Sequence, residues 1–150
     1  MTQRPDREPG GGEAPANPSE RSERREPNRR PAEPAALALR MEDLTLWTAE
    51  RVAKMSRDHK FTVGDRLLET CLEVTTLLVQ ASFLRDKLGL LAAASRGLVR
   101  ARVLVRLAER LNLLSAAQRG HFAVESDTIG RMVGGWTRSQ HSRNDESAGR

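Results

Sequence analysis

Residues Leu90 to Leu111 read LLAAASRGLVRARVLVRLAERL, and the spacing inside this stretch decides the fold class. Apolar side chains return every three or four residues, the period of an α-helix with one buried face, whereas a half-buried strand alternates every second residue. At about 100° per residue, Arg96, Arg100, Arg106 and Arg110 fall within roughly a 120° arc. Leu91, Leu98, Val105 and Leu111 are read on the opposite side. The stretch predicts a helix from about Lys87 to Asn112 that buries aliphatic residues and turns four guanidinium groups outward. Arg102 lies at the border of that arc. A guanidinium is permanently charged and offers a planar fork of donors, so the strip suits phosphate or carboxylate, unless it is simply a solvated helix face.

The neighbouring segments share this period. All seven prolines lie between Pro5 and Pro34, so nothing later in the chain interrupts helix. A first helix is expected from about Asp43 to Arg57, with Leu44, Trp47, Arg51 and Met55 on one stripe. A polar link, Asp58 to Lys60, leads to Thr62 as a candidate cap and to a second helix ending near Phe83, its stripe built from Leu68, Cys71, Leu72, Thr75, Leu78, Val79 and Ser82. Ser115 and Gln118 have the spacing of a capping box, which starts a fourth helix running to about Ser139. Strand signals are absent. Four amphipathic helices with short links predict an all-α fold, an antiparallel four-helix bundle. The expected domains are a disordered tail rich in Pro, Arg and Glu over 1–40, the bundle over 41–140 and a short disordered tail over 141–150.

The chain carries a formal net charge of +5, distributed unevenly. The first 40 residues hold eight arginines against seven acids, whereas 41–140 hold fifteen basic residues against eleven acidic ones. The basic excess belongs to the folded surface, and such a surface attracts nucleic acid, an anionic membrane or an acidic partner. No apolar run is long enough to span a membrane and no secretory signal is read, which predicts a cytoplasmic protein. Cys71 is the single cysteine, so an internal disulfide and a cysteine-rich zinc site are excluded, and its apolar setting predicts a buried, inert thiol.

Catalytic chemistry has no candidate site. His59, His121 and His141 lack the Glu-x-x-His spacing that builds metal centres in helix bundles, and a phosphate-binding glycine loop is missing. Asp65, Glu69 and Glu73 recur at four-residue steps as an acidic strip. That strip is better suited to pairing with arginines of a neighbouring helix or subunit than to binding a metal. No cofactor is expected. In Ile129-Gly-Arg-Met-Val-Gly-Gly-Trp136, each helical glycine costs about 1 kcal/mol relative to alanine. Gly130, Gly134, Gly135 and Trp136 are therefore assigned to close packing of the last helix, subunit contacts included, or to a helix end near Gly134. The five aromatic residues are read as buried or structural, so nucleic-acid contact would be dominated by backbone electrostatics.

Phe61-Thr-Val-Gly-Asp-Arg66, the leucine-rich helix after it, Leu104-Val-Arg-Leu-Ala-Glu-Arg-Leu-Asn-Leu-Leu-Ser115 and Ile129 to Trp136 together resemble the accessory variability determinant (Avd) proteins of diversity-generating retroelements. The same four-helix superfamily includes proteins encoded in intervening sequences of bacterial large-subunit ribosomal RNA. The resemblance covers roughly Leu44 to Ser139. It implies a barrel-shaped homopentamer with a basic surface and a non-enzymatic role, binding the retroelement's error-prone reverse transcriptase with its template RNA and cDNA. Arg96, Arg100, Arg106 and Arg110, with Arg102 as a weaker member, are the candidate contacts to nucleic acid or polymerase. The alternatives are a ribosomal-RNA-associated bundle without a polymerase partner and, more remotely, a small helix-bundle enzyme.

Overall fold

A computed structural model describes residues 34–150, and within them all the regular structure is helical. Helix α1 spans Pro34–Ala53, a single turn α2 spans Arg57–His59, and a π-helical turn follows over Lys60–Gly64. Helices α3 (Asp65–Phe83), α4 (Leu88–Arg110) and α5 (Ala116–Ala148) complete the chain. The packed pairs α1–α3, α3–α4, α4–α5 and α1–α5 close a ring, giving the expected four-helix bundle. Its core is the inward stripe of each helix, and Met41, Leu67, Val74, Leu91, Leu98, Phe122 and Ile129 are almost wholly removed from solvent.

Between α1 and α3 the core carries a polar seam. Thr45 Oγ1 lies 2.9 Å from Thr75 Oγ1 and donates to the Met41 carbonyl at 2.8 Å, while Thr48 donates to Leu44 O at 2.8 Å. These hydroxyls are satisfied, so their burial carries little penalty. Cys71 is fully buried beside them. Burial pushes its thiol up from 9.0 to about 11, against the opposing effect of its hydrogen bond with Thr48.

Several boundaries differ from the sequence expectation for identifiable reasons. The first helix begins at Pro34 rather than near Asp43 and ends at Ala53. Proline is tolerated in a first turn, and Leu37, Ala38 and Met41 have core to bury against, so 34–40 belongs to the bundle. The remainder of the expected tail, residues 1–33, lies outside the described residues. Arg51 is not in the core stripe, which turns to Leu44, Thr48 and Val52; its guanidinium sits 5.6 Å from the Trp47 ring centroid. Thr62 caps nothing, because the chain is already helical there, and its hydroxyl donates to His59 O at 3.2 Å. The π-helical turn brings Gly64 against α1, where a Cβ would stand 3.0 Å from Val52 Cγ1 and 3.1 Å from Met55 Sδ.

The buried stripe of α3 is rotated from the expected one. Leu67, Thr70 and Val74 are inside with Cys71 and Leu78, while Leu72 is exposed. After α4, Asn112 takes a left-handed conformation (φ 58) and Leu113 N donates to Ala108 O at 2.9 Å, closing the helix end. Leu111 thereby leaves the buried side to which it was assigned and is partly exposed. The capping box at Ser115 forms with both bonds in place: Gln118 N donates to Ser115 Oγ at 3.1 Å and Ser115 N to Gln118 Oε1 at 2.9 Å. Helix α5 continues past Ser139 to Ala148, so the expected carboxy-terminal tail is helical over most of 141–150. No glycine or proline interrupts the chain between Gly135 and Gly149.

Candidate functional site

The outer face of α4 is where the structure places the arginine strip. Arg96, Arg100, Arg106 and Arg110 are all exposed, and among the described residues none of them forms an ion pair. The helix presents them because Leu91, Ala94, Leu98, Ala101, Val105 and Ala108 occupy the opposite face and are buried. Gly97 lets α3 approach closely from the side, since a Cβ there would overlap Val74 Cγ2.

The strip is not purely cationic. Val99, Val103 and Leu107 fall inside the same arc and are exposed at 57%, 48% and 43%. The helical arithmetic applied to the arginines places these three in the same arc, although the sequence reading named only the apolar residues on the opposite side. Alternating guanidinium and aliphatic groups make a surface unlike a simple phosphate track. Arginine is enriched and lysine depleted at protein interfaces, whose centres are apolar.

Arg102 departs from the set. Its side chain crosses to α5, where Nε donates to Ser126 Oγ at 3.0 Å and Nη2 donates to the Ser126 carbonyl at 2.8 Å. Asp127 Oδ1 lies 3.2 Å from the same Nη2. Ser126 is fully buried, so Arg102 is a clamp between α4 and α5 rather than a displayed charge. Arg40 and Arg119 are committed between helices as well: Arg40 lies 3.4 Å from Glu125, and Arg119 lies 2.6 Å from Glu109.

The glycines of the last helix separate into different roles. Gly130 makes room for the clamp, because a Cβ there would stand 3.0 Å from Arg102 Nη2. Gly134 and Gly135 meet only the far end of Arg138, at 3.6 and 3.8 Å, so packing within the chain does not require them. The helix does not end at Gly134. Together with Val99, Arg102 and Arg131, the glycines Gly130 and Gly134 line an open groove of about 640 Å³ between α4 and α5. Trp136 is half-buried against the core, with the Lys87 ammonium 4.9 Å from its ring centroid.

The acidic strip on α3 faces outward. Asp65 is half-buried, Glu69 and Glu73 are exposed, and Leu72 between them is half-exposed. Among the described residues these three carboxylates form no ion pair, and no three His, Cys, Asp or Glu side chains gather at metal-binding distance. No helix among the described residues is long and apolar enough to cross a membrane.

Comparison with known families matches residues 36–140 to the family described as bAvd-like. This span covers the four bundle helices as far as Gln140 and stops before the last turns of α5. Comparison with curated proteins and with solved structures gives no match.

Proposed function

The chain belongs to the bAvd-like family, and from that premise we propose that it is a non-enzymatic accessory subunit of a diversity-generating retroelement. In this role it binds the error-prone reverse transcriptase and its template RNA and cDNA, and works as a cytoplasmic homopentamer. The observation that carries the reading is the outer face of α4, where Arg96, Arg100, Arg106 and Arg110 alternate with exposed Val99, Val103 and Leu107. The aliphatic groups favour a protein partner there, since their desolvation is gained only against another apolar surface. The guanidinium groups select an acidic partner and orient it. The reverse transcriptase is assigned to this face.

The test is reconstitution with the polymerase and template RNA encoded beside this gene. Replacing Arg96, Arg100, Arg106 and Arg110 with glutamine is expected to abolish capture of the polymerase while circular dichroism and melting stay unchanged. Capture at wild-type strength would sink the assignment. A locus with no reverse transcriptase gene and no near-identical repeats would favour the ribosomal-RNA-associated alternative.

A second reading of the same face is supported by α3. Its exposed Glu69, Leu72 and Glu73 offer the complementary pattern, acid alternating with aliphatic, on a different surface of the chain. Joining unlike surfaces of successive copies is a heterologous contact, the kind that closes rings. Sedimentation distinguishes the readings, because the arginine variant becomes monomeric if α4 faces a second copy and keeps its assembly if α4 faces the polymerase.

A further inference from the structure

The end of the bundle at the α3–α4 turn carries a pocket apart from the outer face of α4. Arg85 and Lys87 from the turn and Arg143 from α5 line it together with Gln140, Asn144 and Glu146, and its volume is about 390 Å³. That volume lies at the lower end of the range for small-molecule sites. All seven lining residues, Ser147 being the last, are polar. Such a lining excludes an apolar ligand, which needs aliphatic and aromatic walls. No aromatic side chain lines the pocket, so a nucleic-acid base would find no ring to stack on.

The walls are held in place from both sides. Gln140 is only 8% exposed, and its Nε2 donates to the Arg85 carbonyl at 3.5 Å, which ties the turn to α5. The Lys87 ammonium lies 4.9 Å from the Trp136 ring centroid, so its stem samples fewer rotamers. Among the described residues Arg85, Lys87, Arg143 and Glu146 form no ion pair, and the Asn144 side chain makes no hydrogen bond. Ser147 Oγ donates to the Arg143 carbonyl at 2.9 Å and therefore offers the pocket an acceptor. The α5 wall from Arg143 onward lies beyond the family match at residue 140. It exists because α5 runs on for about 12 Å past Gln140.

Three cations against one carboxylate leave a surplus of two positive charges in the pocket. A phosphate monoester at neutral pH carries close to two negative charges, whereas an internal phosphodiester carries one. Glu146 repels a bare anion but accepts a hydrogen bond from a hydroxyl, as do Ser147 Oγ and the Asn144 amide oxygen. We propose that this pocket binds a sugar phosphate, with its phosphate on Arg85, Lys87 and Arg143 and its hydroxyls on Glu146, Asn144 and Ser147. The ligand class follows from the lining alone and is independent of any reverse transcriptase.

Titration calorimetry of the full chain with ribose 5-phosphate, inorganic phosphate, ribose and dimethyl phosphate tests it. Ribose 5-phosphate is expected to bind with a dissociation constant at or below about 1 mM, and inorganic phosphate at least about 10-fold more weakly. Ribose and dimethyl phosphate should give no saturable heat. Lys87→Gln and Arg143→Gln, each removing a charged hydrogen bond, are expected to weaken ribose 5-phosphate about 10-fold or more. Glu146→Ala separates sugar from anion, because it removes a hydroxyl acceptor and a repelling charge together. Its preference for ribose 5-phosphate over inorganic phosphate is expected to fall about 10-fold. No saturation by ribose 5-phosphate would overturn the inference, as would wild-type affinity in both cation variants. Dimethyl phosphate bound as tightly would mark a nucleic-acid backbone site, and inorganic phosphate bound as tightly a general anion site; either result overturns it. So would an unchanged preference in Glu146→Ala.

Discussion

Replacing Arg102 with glutamine separates holding the bundle together from displaying charge. In the wild type, Arg102 makes two hydrogen bonds to Ser126 of 3.0 and 2.8 Å and approaches Asp127 at 3.2 Å. Hydrogen bonds to a charged group contribute about 1.5–3 kcal/mol each when no substitute is available. Here the loss is smaller, because Ser126 Oγ keeps its own bond to Ala123 O at 3.2 Å. The Asp127 side chain is 64% exposed, so that ion pair contributes less than about 1 kcal/mol. A total near 2 kcal/mol is expected, lowering the melting temperature by roughly 8 °C for a domain of this size. Capture of polymerase and RNA should be unchanged at temperatures where the variant is folded. Gly130→Ala, near neutral in the wild type because it crowds Arg102 Nη2, is expected to stabilise the Arg102→Gln background by about 1 kcal/mol through helix propensity. Calorimetry with urea titration measures the stabilities. A variant that melts like the wild type but no longer captures its partner would refute the clamp and return Arg102 to the docking set.

Other substitutions probe the packing and the thiol. Gly97→Ala should destabilise by about 1–2 kcal/mol, since the added methyl overlaps the stiff Val74 side chain, and adding Val74→Ala should recover part of that loss; additive effects in a double-mutant cycle would count against close α3–α4 contact. Cys71 should resist iodoacetamide in the folded protein and react on unfolding. Between about pH 9 and 11 the unfolded chain releases the thiol proton while the folded chain keeps it, so stability falls as pH rises across that window, by on the order of 2–3 kcal/mol; a Cys71→Ala protein lacking this fall relative to wild type is the check. Ser115→Ala should cost about 1 kcal/mol by leaving the Gln118 amide without its partner, measurable as a lower urea midpoint.

Local rules, acting within a few residues, were enough for much of this protein. The three- and four-residue spacing from Leu91 to Val105 placed α4 and turned Arg96, Arg100, Arg106 and Arg110 to one side, because periodicity is a property of a single helix. The Ser115 and Gln118 bonds were readable for the same reason, as was the burial of Cys71 amid apolar neighbours. Properties that need a second element were not. Arg102 and Arg106 are the same residue type on the same helix, yet one meets Ser126 across a gap opened by Gly130 and the other meets solvent. Leu72 and Leu111 are as hydrophobic as Leu78, but the rotation of α3 and the left-handed turn at Asn112 put them outside. Arg85 and Arg143 are far apart in sequence, and they line one pocket because α5 runs antiparallel to α4 and continues past the α3–α4 turn. Sequence spacing sets which residues share a helix face, but which faces are covered depends on where the other helices lie, and that depends on packing contacts between residues far apart in the chain.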